Sequence, residues 1–368
     1  MDDFPLIKLF VYEYLTGGGI DPDLAGEGSL ADLSALIVEG RAMRDALVAD
    51  LVELDGVHVT FASSRFEHVD PARAHCRAEP GEPMTGFVAR VAAEHDYAWI
   101  VAPECDGLLL RLYEAVGAAR WLGCTQQAIE VASSKRATAA CLSAHGIAVT
   151  PALTPEDAMA NDGARRDGAQ RDGARWVVKP DDGAGGLDTF VYDRRDDACA
   201  EYEARVAVRR NPVLQEWVDG EPLSLSLICG ERGAELISIN RQQIGVPDAT
   251  APGHPERVVE FSGVEVDQID RHGVEGRVLG ALAQRVVSAL PGLRGFAGID
   301  LVWHPQRGPV VIEVNPRLTA AYAGLSARLG RNIAGCLLDA HGVTLPDAHA
   351  AASGIDAAAH VRACGAPS

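Results

Sequence analysis

The stretch from Asp300 to Arg317, DLVWHPQRGPVVIEVNPR, sets two carboxylates and an amide into two apolar runs joined by a turn. If Trp303 faces Val310 across a hairpin, pair counting places Asp300 opposite Glu313 with both side chains on one face. Asn315 lies two residues beyond Glu313 and shares that face by the pleat of the strand. Two carboxylates facing each other in an apolar hairpin repel unless a cation lies between them. Two carboxylates and an amide oxygen suit a hard ion, Mg²⁺ or Mn²⁺, that keeps sites for water and phosphate. A solvated hairpin face is the plain alternative. Pro316 ends the strand, and Arg317 then offers a planar cation able to clamp a phosphate or a carboxylate.

Of the 33 basic residues only Lys8, Lys135 and Lys179 are lysine, so a surviving lysine marks a place where a compact ammonium matters more than a planar fork. Lys179 ends the apolar run WVVK and precedes PDDGAGG, whose Gly183, Gly185 and Gly186 can bare backbone N–H groups to anionic oxygens. This is not a phosphate loop of the GxxxxGK[ST] type, because neither that spacing nor a following helix is present. It reads instead as a flap over phosphates with the lysine beneath. Lys135 falls in the first turn of an N-capped helix, SSKRATAACLSAHG. Gln215, Glu216, Trp217 and Val218 form an extended backbone able to pair with an adenine edge.

The elements that must carry these groups follow from periodicity. Strands are expected at Leu6–Tyr12, Val57–Ala62 and Tyr97–Ala102, with helices over Asp32–Leu54 and from Met84, a βαβ rhythm that implies a parallel sheet. Ligands of such sheets sit in the loops at the strands' carboxyl ends, here residues 13–19 and 103–107. Gly17-Gly18-Gly19 does not match GxGxxG and reads as a flexible turn. Further on, WVVK and LDTFVYD are expected to pair as a hairpin. A helix follows near Cys199–Arg209, then strands PVLQEWV and SLSLIC, a helix over Val274–Leu290, and a last helix near Ile333–His341. Residues 161–175, NDGARRDGAQRDGAR, have no apolar face and read as an inserted surface loop. The Ala-, Gly- and Pro-rich end, 346–368, reads as a loosely held tail.

Composition excludes several classes. The 368 residues are 47% hydrophobic and 23% charged, the balance of a globular α/β protein. A formal net charge of −19 disfavours nucleic acid and anionic membranes as partners. No apolar run is long enough to span a bilayer, the first residues lack the basic run of a signal peptide, and eight scattered cysteines without a CxxC pair read as reduced thiols. A cytoplasmic enzyme is expected.

The order of an early-helix lysine, VVKP with a glycine loop, QEWVDGE and GID…IEVNPR resembles the ATP-grasp superfamily of carboxylate–amine ligases, over about residues 130 to 340. FVYEYLTGGG, VAPECDGLL, INRQQI and EVNPRLTAAYAGL look closest to the ATP-grasp enzymes typified by tyramine–glutamate ligase of methanofuran biosynthesis. The resemblance implies an ATP-grasp fold in three parts: an N-terminal parallel-sheet domain (1–130), an ATP-grasp domain (131–345) with a small lid at about 150–220, and the tail. It also implies ATP with Mg²⁺ or Mn²⁺, an acyl-phosphate intermediate, and small-molecule carboxylate and amine substrates; the oligomeric state is left open, with a homodimer as one option. Lys135 and Lys179 would hold phosphates, and Asp300, Glu313 and Asn315 the metal. Arg317 would steady the transferred phosphoryl group or a carboxylate. The usual ribose acid falls where this chain has Pro222, which leaves Glu221 or Asp219 for the ribose. Glutamate would be one substrate, with Arg241 and Arg317 as its cationic partners, and tyramine or tyrosine the other. Tyr14, Thr16 and Glu104 would line the amine pocket. Glu104 or Asp106 would pair with the ammonium, unless either merely caps the helix that starts near Gly107. A carboxylase-type enzyme using bicarbonate, and a nucleotide-binding regulator without turnover, are the alternatives.

Overall fold

A computed structural model describes residues 6–19, 30–158, 174–183, 185–247 and 255–345. The repeat at 161–173 and the tail at 346–368 lie outside the described residues. The N-terminal strands are β1 (Ile7–Glu13), β2 (Val57–Ala62), β3 (His75–Cys76) and β4 (Tyr97–Val101), in a sheet of order β3-β2-β1-β4. β1 pairs in parallel with both β2 and β4, as the alternation of apolar runs and helices requires. Helices α1 (Leu30–Val52), α2 (Met84–Ala93) and α3 (Leu108–Val116) belong to this part, followed by α4 (Gln126–Ala132) and α5 (Lys135–Ala144). Ser134 caps α5, its Oγ accepting from the Ala137 N–H at 3.0 Å.

A second sheet joins β5 (Trp176–Pro180), β6 (Phe190–Tyr192), β7 (Pro212–Glu216) and β10 (Arg257–Val258) in the order β10-β6-β5-β7. The expected hairpin forms between Trp176–Val178 and Phe190–Tyr192, and α6 (Arg195–Ala207) follows it. The third sheet is antiparallel, of order β11-β9-β8-β12-β13, built from β8 (Glu221–Gly230), β9 (Gly233–Gly245), β11 (Glu260–Glu265), β12 (Gly295–His304) and β13 (Gly308–Asn315). Helices α7 (Val274–Ala289) and α8 (Ile333–Ala340) flank it.

Strand alternation gives the third sheet two unlike faces. Leu223, Leu225, Leu227, Ile299 and Leu301 share a core with Leu279, Leu282 and Val286 of α7. On the opposite face, Ile228 and Phe296 pack with residues of α1 and α8 such as Leu47 and Leu337. The same face turns polar at its other end, where Asn240, Ser224, Asp300 and Glu313 lie side by side in successive strands. The described part of the molecule therefore has one sheet face that is half apolar core and half polar.

Candidate active site

Asp300 and Glu313 are direct partners in the β12–β13 ladder, but not through the register expected from the turn. Trp303 pairs with Pro309 rather than Val310, and an irregularity between Asp300 and Leu301 inserts one extra residue on β13. That bulge restores the Asp300–Glu313 pairing that a plain hairpin would have missed by one residue and turned to opposite faces. Asn315 Nδ2 donates to Asp300 Oδ2 at 3.0 Å, and Gln242 Nε2 of β9 donates to Asp300 Oδ1 at 3.0 Å. Burial and the facing Glu313 push the Asp300 carboxyl well above the ordinary aspartate value. Burial also raises Glu313, but Lys135 and Lys179 beside it outweigh that and hold it below the ordinary glutamate value.

The two lysines converge on this hairpin from different elements. Lys135 Nζ donates to the Gly183 carbonyl at 2.8 Å and lies 3.3 Å from Glu313 Oε2. Burial works against its charge, yet Glu313 keeps its pKa above the ordinary lysine value. Lys179, 6% exposed on β5, is brought down to about 8 by burial and by the like charge of Lys135. Gly185 and Gly186 both take left-handed backbone angles (φ 69° and 72°), which explains why the loop after Lys179 carries glycine there. A small cavity between the sheets is bounded by Glu104, Ser133, Lys135, Gly183, Glu313 and Asn315.

Oxygen donors at Asp300, Glu313 and Asn315, brought together on one face, fit a hard divalent cation, which would offset the burial and the mutual repulsion that raise Asp300. The set is two carboxylates and an amide. No cluster of three His, Cys, Asp or Glu residues suited to a metal occurs among the described residues.

β7 runs beside β5, with Gln215 opposite Val177 and Val213 opposite Lys179. Gln215 is buried and donates through Nε2 to the Thr150 carbonyl at 2.7 Å. Glu216 is half-buried and Val218 buried. The Trp217 N–H donates to the Arg175 carbonyl at 2.9 Å, its indole N–H to Asp219 at 3.1 Å, and the Arg175 guanidinium stacks 5.1 Å from its ring. Both acids considered for the ribose are engaged: Asp219 with Arg175, and Glu221 with Arg241 at 2.6 Å.

Four expectations need correction. Arg241 does not reach the Asp300 face: it pairs with Leu223, which pairs with Leu301, so the pleat turns it to the other side of the sheet. Glu104 makes no side-chain cap at the helical turn that follows it. Instead it accepts from Arg317 Nε at 2.9 Å and Nη2 at 3.0 Å, and the Arg317 Nη1 donates to the Leu318 carbonyl. Asp106 likewise does not cap α3, which starts after Gly107 at its N-cap and has no side-chain cap bond; the Asp106 N–H donates to Asp182 Oδ2 at 2.6 Å. Residues 13–19 are also more than a loose turn. The buried Glu13 carboxylate accepts from the Leu15 N–H, the Thr16 N–H and the Thr16 hydroxyl, which fixes the loop holding the half-buried Tyr14 and the buried Thr16. Gln242, which touches Asp300, and Asp181, which touches Ser134 and Arg136, border the candidate site and were missed in the sequence; INRQQI and VVKPDD contain them, but nothing in either string marks which polar residue faces inward.

Residues 132–321 match the family model of the ATP-grasp domain, and residues 57–129 that of the pre ATP-grasp 3 domain. The chain is 26% identical over 297 residues to tyramine–L-glutamate ligase of Methanocaldococcus jannaschii, covering 79% of each chain. It is 25% identical over 325 residues to the enzyme of the same name from Methanocaldococcus fervens, covering 86% of this chain and 89% of that one. In structure it resembles D-alanine–D-alanine ligase from Bacillus anthracis, with a TM-score of 0.59 at 15% identity, covering 91% of this chain and 97% of that one. The family model thus takes in the lysines, the glycine loop and the carboxylate hairpin together, and the chain belongs to the ATP-grasp family, as one of its carbon–nitrogen ligases.

Proposed function

We propose that this ligase joins a carboxylate to an amine through an acyl phosphate, converting ATP to ADP and phosphate, with glutamate as one substrate and tyramine or tyrosine as the other. The observation that carries the reading is the convergence of Lys135, Lys179 and the glycine loop on the Asp300–Glu313–Asn315 face. The substrate pair rests on the similarity to the two archaeal tyramine–L-glutamate ligases.

In this mechanism a carboxylate oxygen attacks the γ-phosphorus of ATP and ADP leaves. The amine nitrogen then attacks the acyl carbon and expels phosphate. The protein's part is alignment and charge neutralisation. Lys135 and Lys179 neutralise phosphate oxygens, and the N–H groups of Gly183, Gly185 and Gly186 close over them. Mg²⁺ or Mn²⁺, held by Asp300, Glu313 and Asn315, would supply further neutralisation of the phosphates. Gln215, Glu216, Trp217 and Val218 border the adenine, whereas Glu221 shares the sheet face of its partner Arg241, away from Asp300, and contributes no ribose contact. Arg317 has five N–H donors and uses three on Glu104 and Leu318, so two remain for a phosphoryl or carboxylate oxygen. Tyr14 and Glu104 flank the amine side, with Glu104 acting through Arg317. The parts divide as an N-terminal domain to about residue 130 and an ATP-grasp domain from 131 to 345.

Incubation with ATP, Mg²⁺, glutamate and either amine, followed by mass spectrometry, tests the substrate pair. The expected products are the amide, ADP and phosphate. Product from a different carboxylate and amine would keep the ligase and overturn the pair. ADP release that depends on bicarbonate alone would move the assignment to a carboxylase.

A further inference from the structure

Lys135 and Lys179 are like charges on separate elements, both buried, and their proximity has to be held by something other than themselves. Asp181, 7% exposed just beyond β5, is where the elements carrying them are tied together. Its Oδ2 accepts from the Ser134 hydroxyl at 2.7 Å and its Oδ1 from the Arg136 N–H at 2.9 Å. Its main-chain carbonyl accepts the Lys135 N–H at 2.9 Å. A third segment enters through Asn211, whose Nδ2 donates to Asp181 Oδ2 at 3.3 Å and whose carbonyl accepts the Asp181 N–H at 2.9 Å.

The first turn of α5 therefore finds acceptors for two of its free N–H groups on the end of β5. A serine cap alone would have stabilised the helix without burying a carboxylate, which is costly unless it is fully hydrogen-bonded. The added bonds do something a local cap cannot: they fix α5 against β5. Two residues on, Gly183 receives the Lys135 ammonium, so both ends of that lysine are referenced to the segment that follows Lys179. The Asp181 carboxylate also favours the charged form of Lys179, against burial and against Lys135.

We propose that Asp181 is a positioning residue for nucleotide binding, fixing the spacing of the Lys135 and Lys179 ammonium groups so that both meet the phosphates of one nucleotide. This rests on the reading of those lysines as the phosphate-binding pair. Neither lysine touches Asp181 through its ammonium, so its effect on the nucleotide is indirect.

The test uses the full chain and measures MgADP affinity by calorimetry, steady-state constants for ATP and amine, and thermal unfolding, in Asp181→Asn, Asn211→Ala and a Lys179→Met control. Asn keeps the size and capping capacity of Asp but loses the charge and one acceptor. Asp181→Asn should weaken MgADP binding about tenfold, the loss expected for charge-assisted hydrogen bonds, with KM for ATP rising in step. KM for the amine should stay near wild type, while the unfolding temperature falls modestly with the hydrogen bonds that the ligand-free fold loses. Asn211→Ala, which removes one strut and no charge, should shift MgADP affinity the same way by about threefold. If Asp181→Asn and Asn211→Ala bind MgADP as wild type does while Lys179→Met has lost it, the proposal is wrong and the phosphate reading stands. Normal binding in Lys179→Met overturns the phosphate reading and the proposal together. A fall in unfolding temperature with KM for ATP and amine rising equally would make Asp181 purely structural, again overturning it. Should Asp181→Asn fail to fold, Asn211→Ala decides by the same criteria.

Discussion

Removing the Glu104 carboxylate should strand a buried cation, and the size of the effect can be worked from the pair. The Arg317 side chain is 12% exposed and that of Glu104 5%, and two charge-assisted bonds of 2.9 and 3.0 Å join them. Breaking such a pair by deleting one partner costs about 3–5 kcal/mol, because the survivor keeps its desolvation penalty without its counter-charge. At roughly 2–4 °C per kcal/mol for a domain of this size, Glu104→Ala should lower the unfolding temperature by about 6–20 °C. Glu104→Gln retains an acceptor oxygen and should cost less than half as much. A double variant, Glu104→Ala with Arg317→Met, removes both charges and should recover most of the stability but none of the turnover. Differential scanning calorimetry without nucleotide, alongside initial rates, reads both quantities. An unfolding temperature for Glu104→Ala within about 2 °C of wild type would refute the reasoning, since it would mean the guanidinium is solvated or re-paired at no cost. Full turnover in the double variant would separately remove Arg317 from the chemistry.

The remaining predictions concern charge and shape. Glu313→Gln should abolish most turnover while lowering the unfolding temperature less than Glu104→Ala, because the amide cannot hold a divalent cation or pair with Lys135 but does relieve the repulsion with Asp300; unchanged kinetics would take the hairpin out of the active site. Lys179→Arg should weaken nucleotide binding despite conserving charge, since a guanidinium does not fit a buried position shaped for one ammonium; calorimetry with MgADP showing wild-type affinity would contradict this. His341, pulled down to about 4 by burial and by Arg294, is carried neutral in the fold, and its Nε2 has no hydrogen-bond partner among the described residues. A base with a depressed folded pKa contributes stability that is present above the unfolded value near 6.5 and is lost as pH falls towards 4. The loss should reach about 3 kcal/mol, and His341→Gln should flatten that part of a urea-midpoint profile.

The chemistry was more legible than the geometry that delivers it. Asp300, Glu313 and Asn315 stand out because polar groups at alternate positions interrupt apolar strands, and Lys135 and Lys179 stand out because arginine has replaced lysine almost everywhere else. The longer strands of the first and second sheets were readable from apolar runs and breakers, and the two-residue strands β3 and β10 were not. β9 was not: ISINRQQI mixes inward and outward polar residues, because half of the sheet face it serves is a site rather than a core. The same mixture made Arg241 look like a ligand, when Gln242, one residue later and on the other face, is the group that touches Asp300. The β13 bulge left no mark in the sequence, yet it decides which face Glu313 occupies relative to the turn. Glu104 and Arg317 were each visible as charged loop residues, but their pairing spans 213 positions and depends on how the first and third sheets meet. Asp181 was hidden for a similar reason, since a carboxylate beside a glycine loop reads as ordinary turn chemistry until the helix it caps is seen.

Transfer of oxygen distinguishes an acyl phosphate from an acyl adenylate. Glutamate labelled with ¹⁸O in its carboxylates is turned over with ATP, Mg²⁺ and tyramine or tyrosine, and the phosphate, ADP and any AMP are examined by mass spectrometry. An acyl phosphate formed by attack on the γ-phosphorus must deliver one carboxylate oxygen to the released phosphate, leaving the nucleotide unlabelled as ADP. Labelled AMP with pyrophosphate, or amide formed with unlabelled phosphate, would contradict the account.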